Sequence, residues 1–151
     1  SNTGVRLSIA IASNYGNIGS NAVDLSFSSV SSTTRGATGN FSTAMGRSTT
    51  ASGNNSTAMG LGTTASDFGS LVIGQFNSSG SSVTNSASQF STANTAFVIG
   101  NGTAYDATSD AFKVMFNGDT TVSNDLNVKG NVTVGDVSVF SDLLPFLTIF
   151  Y

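Results

Sequence analysis

The feature that most constrains this chain is a 14-residue repeat. Ala37-Thr-Gly-Asn-Phe-Ser-Thr-Ala-Met-Gly-Arg-Ser-Thr-Thr50 runs directly into Ala51-Ser-Gly-Asn-Asn-Ser-Thr-Ala-Met-Gly-Leu-Gly-Thr-Thr64, with 10 of 14 positions identical. A looser third copy begins at Ala65 and carries Ser70-Leu-Val-Ile-Gly74, so that Gly46, Gly60 and Gly74 fall 14 residues apart. A fourth echo, Ala96-Phe-Val-Ile-Gly100, places its glycine 26 residues beyond Gly74, across an insertion rich in Ser and Asn from Asn77 to Asn94. Self-similarity at a fixed short period marks a stack of units, none of which can bury its apolar face alone.

Fourteen residues are too few for a helical hairpin, and a Gly and a Thr-Thr pair in each copy oppose helix. The rest of the chain agrees. Ser, Thr, Asn and Gly supply about half of the 151 residues, and all eight acids are Asp. Residues of this kind compete for backbone hydrogen bonds instead of building helical surfaces. Two short strands and two turns do fit the repeat, since a five-residue strand spans about 17 Å. Each copy therefore reads as one coil of a β-solenoid. Within Thr43-Ala44-Met45 the side chains alternate, which puts Thr43 and Met45 on one face and Ala44 on the other. Thr57 with Met59, Leu71 with Ile73, and Phe97 with Ile99 occupy the same register, and these pairs are expected to form stacked core ladders. Shared register assigns Met45 and Met59 to packing, ahead of an adaptable binding stripe. Gly46, Gly60, Gly74 and Gly100 mark positions needing positive φ or close backbone approach. Three or four coils with a core this thin leave one chain under-stabilised, so several chains are expected to associate around an axis.

The flanks read as strands too. Val5, Leu7, Ile9 and Ile11 alternate with small or polar residues in the period-2 pattern of a half-buried strand. Val114, Phe116, Thr120 and Val122 bracket Asn117-Gly118, a strong hairpin signal. Leu126-Asn-Val128, Val132-Thr-Val134 and Val137-Ser-Val139 follow at close spacing, as in a slender β shaft. The apolar tail, residues 143–151, is expected to be covered by another chain or by the next fibre segment. Its nine-residue run falls far short of the roughly 20 residues of a membrane-spanning helix. No basic region precedes an apolar stretch, which places any export signal outside this segment.

Chemistry has few players. The chain has no His, Cys or Glu, so the usual nucleophile and base arrangements are closed to it and general bases reduce to Asp. Asp106 with Asp110, or Asp119 with Asp125, could form a carboxylate pair of the glycoside-cleaving kind. Each sits among Gly, Asn, Ser or Thr, where Asp ordinarily bends or caps the backbone. Asn117-Gly-Asp119 and Asn124-Asp125 lack the ligand order of a calcium loop. The expectation is a chain without enzymatic activity, cofactor or metal. Its five scattered basic residues leave no electrostatic footprint for nucleic acid. Loops carried on rigid scaffolds often do the recognising. Phe76 and Phe90, beside and within the insertion, are therefore the candidate recognition residues, with a neck or cap over the last coil as the competing reading.

Asn55-Ser-Thr-Ala-Met-Gly60, Gly69-Ser-Leu-Val-Ile-Gly74 and Thr95-Ala-Phe-Val-Ile-Gly100 resemble the head repeats of trimeric autotransporter adhesins of the YadA type, built on Asn-Ser-Val-Ala-Ile-Gly within a 14-residue unit. That resemblance implies a left-handed parallel β-roll and a homotrimer. A broader likeness over residues 21–120, through Asn21-Ala-Val-Asp-Leu-Ser26 and Phe112-Lys-Val-Met-Phe-Asn-Gly-Asp119, is to bacterial and phage fibre proteins that join such heads to a β shaft. The expected organisation is an N-terminal strand segment over 1–36, β-roll head repeats over 37–76, the insertion and last coil over 77–104, a hairpin and shaft over 105–142, and the tail over 143–151. The implied job is adhesion: a fibre meeting a surface glycan or protein receptor, joined to further fibre segments, outside the cell or at its surface. A tail fibre on a phage-like particle or contractile injection system is the alternative, and a polysaccharide depolymerase is less favoured.

Overall fold

The computed structural model describes residues 3–7 and 9–133. Within them lie eleven strands and one 3-10 turn at Ala12–Asn14. The strands are β1 (Val5–Arg6), β2 (Val23–Phe27), β3 (Gly36–Ala37), β4 (Thr43–Arg47), β5 (Thr50–Ala51), β6 (Thr57–Leu61), β7 (Thr64–Ala65), β8 (Leu71–Gln75), β9 (Thr95–Asn101), β10 (Asp110–Met115) and β11 (Thr120–Val122). They form a long sheet in the order β1-β2-β4-β6-β8-β9-β10-β11 and a short sheet in the order β3-β5-β7. Each 14-residue copy contributes one strand to each sheet, which is the β-solenoid that the repeat implies.

Stacking is in register. Thr43, Ala44 and Met45 of β4 lie opposite Thr57, Ala58 and Met59 of β6, and Thr50 and Ala51 of β5 opposite Thr64 and Ala65 of β7. The coil persists where the 14-residue spacing does not. On one side Val23 to Phe27 pair with Thr43 to Arg47, so the roll begins well before residue 37. On the other, Leu71 to Gln75 pair with Phe97 to Asn101 across the insertion. At β10 the sheet turns antiparallel, with Val114 opposite Phe97 and Phe112 opposite Ile99. The predicted hairpin is β10–β11, its turn held by the amide of Met115 donating to the Asp119 carbonyl at 2.8 Å and by Gly118 at φ +95°.

Which face of each strand turns inward differs from the sequence expectation. The buried ladder is Ala44, Ala58, Val72 and Val98, all at 0% exposure, facing Ala37, Ala51 and Ala65 of the short sheet. Met45, Met59 and Leu71 are instead 37–39% exposed on the other side, and Thr43, Thr57, Ile73, Phe97 and Ile99 share that outer face. The reason is width. Tight corners hold the two sheets so close that only Ala, Ser, Thr and an occasional Val fit between them, and Ser42, Ser56 and Ser70 bury their hydroxyls on neighbouring carbonyls. Alternation says which residues share a face, and tertiary packing decides which face is inside.

The glycine row follows from the same closeness. Gly60 has φ +122°, and a β-carbon there would strike the carbonyl oxygen of Gly74 in the next coil. Left-handed backbone recurs at both corners of the roll: Asn21, Phe41, Asn55 and Gly69 at the corner leading into the long strands, and Ser48, Gly62 and Phe76 at the corner leaving them.

Polar groups close the N-terminal end of the core. Asp24 occupies the inward position equivalent to Ala44 and is fully buried, paired with the Arg6 guanidinium at 2.8 Å. Arg6 also donates to the Gly16 carbonyl and stacks on Tyr15, 4.6 Å from its centroid. This network explains why the alternating N-terminal segment forms only a two-residue strand. Asn14 and Tyr15 bond back to the Ser28 and Ser26 carbonyls, drawing the chain across the end of the roll and leaving Leu7, Ile9 and Ile11 43–86% exposed. The expected strand at Leu126–Val128 does not form, and no other described strand pairs with it. Val134 onward, including the strand expected at Val137–Val139 and the tail at 143–151, lies outside the described residues.

Two substitutions test this packing. Gly60→Ala should lower stability by more than about 2 kcal/mol, since it combines a disfavoured φ with a backbone clash, while Gly130→Ala, with open space around it, should be near neutral in thermal denaturation followed by circular dichroism. Thr63 buries a hydroxyl that has no hydrogen-bond partner. Thr63→Val should therefore raise the melting temperature, by a gain of about 1 kcal/mol.

Candidate functional site

Because small residues fill the interior, the larger apolar side chains of the long strands stand on the outer face. Directly opposed residues share a face, so the pairing defines two rows. One runs Val5, Val23, Thr43, Thr57, Leu71, Phe97, Val114 and Thr120; the other runs Leu25, Met45, Met59, Ile73, Ile99, Phe112 and Val122. No charged residue stands in either row. At about 4.8 Å per strand the stripe is some 34 Å long. Val23, Leu25, Met45, Met59 and Leu71 are each 37–40% exposed, and Phe97 meets Phe112 edge-on at 6.1 Å between centroids. At the N-terminal end the stripe runs into a hollow of about 220 Å³ lined by Leu7, Ile9, Ile11, Tyr15 and Phe27. A largely apolar surface of this length, with threonine at Thr43, Thr57 and Thr120, is the candidate interaction surface on a chain so polar. The residues expected to be core ladders thus form the candidate interface.

The insertion after β8 is a built structure rather than a loose loop. The Asn77 amide accepts from the Thr64 N–H and donates to the Thr64 carbonyl, both at 2.8 Å, taking the place a fourth strand of the short sheet would hold. Asn94 does the same for Ser86. The buried Asp67 carboxylate accepts from the N–H groups of Thr84 and Thr95 at 2.6 and 2.8 Å. Asp110 accepts from Ser78 and Ser79. Four Asn and Asp side chains thus pin both ends and the middle.

The two candidate recognition residues part company here. Phe76 is 9% exposed, lies over Gly62 and meets Tyr105 edge-on at 5.0 Å, so it is a packing residue with no surface to offer a ligand. Its left-handed backbone, which costs on the order of 1–3 kcal/mol in a non-glycine residue, is offset by that packing. Phe90 is 61% exposed and rests edge-on against Phe116 at 5.1 Å. Sequence reasoning missed two aromatic residues, Phe41 and Phe116. Phe41 is 59% exposed at φ +57°, and the available signal was that position 41 is one of the few where the first two repeat copies differ. Two of the four carboxylates considered for catalysis are engaged in local hydrogen bonds. Asp110 holds the insertion, and Asp119 accepts the Asn117 amide at 2.7 Å within the hairpin turn.

Comparison with known families agrees with this geometry. Residues 37–63 match the family model of the YadA head domain repeat, in two copies. No curated protein and no solved structure gives a match. Residues 37–63, which hold β4, β5 and β6 and the turns joining them, are thus similar to YadA head repeats, and the roll continues in both directions through coils that keep the strand register outside the matched residues.

Asp67→Asn should loosen the insertion, because an amide nitrogen would face a backbone N–H that the carboxylate now satisfies. The expected loss is about 1–3 kcal/mol, with faster proteolytic cleavage between residues 77 and 94 than in the unaltered chain.

Proposed function

We propose that this chain is a segment of a homotrimeric adhesive fibre, and that the outer face of its long sheet is the seam between the three copies. The observation that carries the reading is the uncharged, largely apolar stripe: an apolar row from Leu25 to Val122 across seven strands, with a row of Val, Leu, Phe and Thr beside it across all eight. Each half-exposed Leu, Met or Ile covered by a neighbouring chain contributes on the order of 1 kcal/mol, and many such positions act together along the stripe. The YadA head repeats support the same reading, since heads of that type are trimeric and stand on cell surfaces. Around a shared axis the outer rows supply the large apolar core that the narrow interior of each roll lacks.

The role is structural and adhesive, without catalysis: a rigid rod that presents three copies of each corner and of the insertion to a surface outside the cell. Linked copies raise effective concentration, so weak contacts sum to firm attachment. The lack of His, Cys and Glu, the use of Asp110 in holding the backbone of the insertion and the bond of Asp119 to the Asn117 side chain support a binding module over a depolymerase.

The double variant Met45→Asp, Met59→Asp tests the seam. The unaltered chain should give the mass of a trimer in solution. The variant, carrying six charges at the axis, should dissociate at micromolar concentration. A stable monomer of the unaltered chain would end the reading.

A further inference from the structure

We propose that the corner ridge running from Phe41 across Asn55 to Phe116 and Phe90 binds neutral glycans. The proposal rests on the adhesive reading above and names the ligand class and the place.

Strain comes first. Four residues at this corner adopt left-handed backbone: Asn21, Phe41, Asn55 and Gly69. They follow one another along the roll, with Phe41 N–H on the Ser20 carbonyl, Asn55 N–H on that of Asn40 and Gly69 N–H on that of Asn54, at 2.8, 2.8 and 2.9 Å. Asn and Gly are the residue types that tolerate this conformation. Phe is not. At the opposite corner Phe76 has the same conformation, but its ring is buried over Gly62 and against Tyr105. Phe41 has the strain without the burial, its ring 59% exposed. Strained backbone that packing does not explain concentrates at functional positions.

Phe41 belongs to a larger surface. Two strand spacings along the ridge, about 10 Å away, the Phe116 ring lies beside Gly69, 3.5 Å from where a β-carbon would stand. Phe90 meets Phe116 edge-on at 5.1 Å and is itself 61% exposed. Between the rings the exposed Asn55 offers an amide. The ridge is stiff. Asn54 Oδ1 accepts from the Asn40 N–H and Asn40 Oδ1 from the Ser20 N–H, each at 3.0 Å, and the insertion is tied on through the Asn54 backbone N–H donating to the Ala87 carbonyl at 2.8 Å.

Separated ring faces with amides between them match the chemistry of a sugar chain. The C–H face of a pyranose, made positive by its hydroxyls, settles on the negative face of an aromatic ring, and the hydroxyls bond to amide groups that can both donate and accept. None of the four corner positions is charged, so the ridge favours neutral sugars over sulfated or sialylated ones. It is open along its length, which suits several sugar units laid along it rather than one enclosed. The corner borders the sheet face assigned to the seam, two residues ahead of Thr43, Thr57 and Leu71, and a trimer carries three such ridges.

The test uses the full chain and a panel of immobilised neutral hexose and N-acetylhexosamine oligosaccharides. Phe41→Asn installs the residue type found at Asn21 and Asn55. It should raise the melting temperature by relieving strain, keep the mass of the oligomer, and lower retention on the panel at least tenfold. Phe90→Ala should lower retention, again without a change of mass. Unchanged retention in both variants overturns the ridge, and so does a loss of oligomer mass in Phe41→Asn, which would make Phe41 a seam residue. A chain that attaches to cells or to protein-coated surfaces but to no member of the panel also overturns the ridge while leaving the adhesive reading in place. A chain that attaches to none of these removes both.

Discussion

The spacing between the two sheets governs everything else in this molecule. Each coil closes through corners so tight that the long and short strands are separated by little more than an alanine side chain from each. Ala44, Ala58, Val72 and Val98 on one side and Ala37, Ala51 and Ala65 on the other fill that space without remainder. Successive coils approach so closely at Gly46, Gly60, Gly74 and Gly100 that a β-carbon would meet backbone at each. An interior of this kind buries little apolar area per residue, and the hydrophobic contribution scales with that area. The larger side chains that would ordinarily make a core are displaced to the outer face. There they form the candidate interface, so the same constraint that makes the roll thin puts its larger apolar side chains within reach of a partner.

A stack of parallel strands also has to end. Open edges would recruit further strands, and a narrow apolar interior would be exposed at each terminus. Both ends are closed with polar groups in the inward row. At the first coil Asp24 replaces alanine and is neutralised by Arg6, which Tyr15 covers. Past Val98 the inward row continues to Lys113, and the sheet itself changes from parallel to antiparallel. The short sheet ends on the Asn77 amide, which satisfies one strand's donor and acceptor without offering a new edge. The insertion that breaks the 14-residue period is thus part of how the short sheet terminates.

Two phenylalanines at positive φ show how context decides whether a ring is packed or left exposed. At one corner the ring of Phe76 fills the space above a glycine and contacts a tyrosine, and the Arg35 guanidinium on the far side of Tyr105 extends the cluster to the first coil. At the other corner the ring of Phe41 is exposed. Sequence alone does not say which ring is buried, since each is an aromatic residue in a polar turn.

The repeat made much of this legible. Period and composition determined an all-β stack of short strands, the glycine row and the hairpin at Asn117-Gly118, because each depends on local spacing and residue type. Tertiary structure alone decided which face of each strand is interior, since alternation is symmetric and the width between sheets breaks that symmetry. It also decided that the coil continues through β2 and β9, where the spacing is lost but the hydrogen-bonded register is kept. The methionine rows moved from the core to the surface for that reason, and with them the candidate interface. What fills a space is set by the walls around it, and those walls come from residues far apart in the chain.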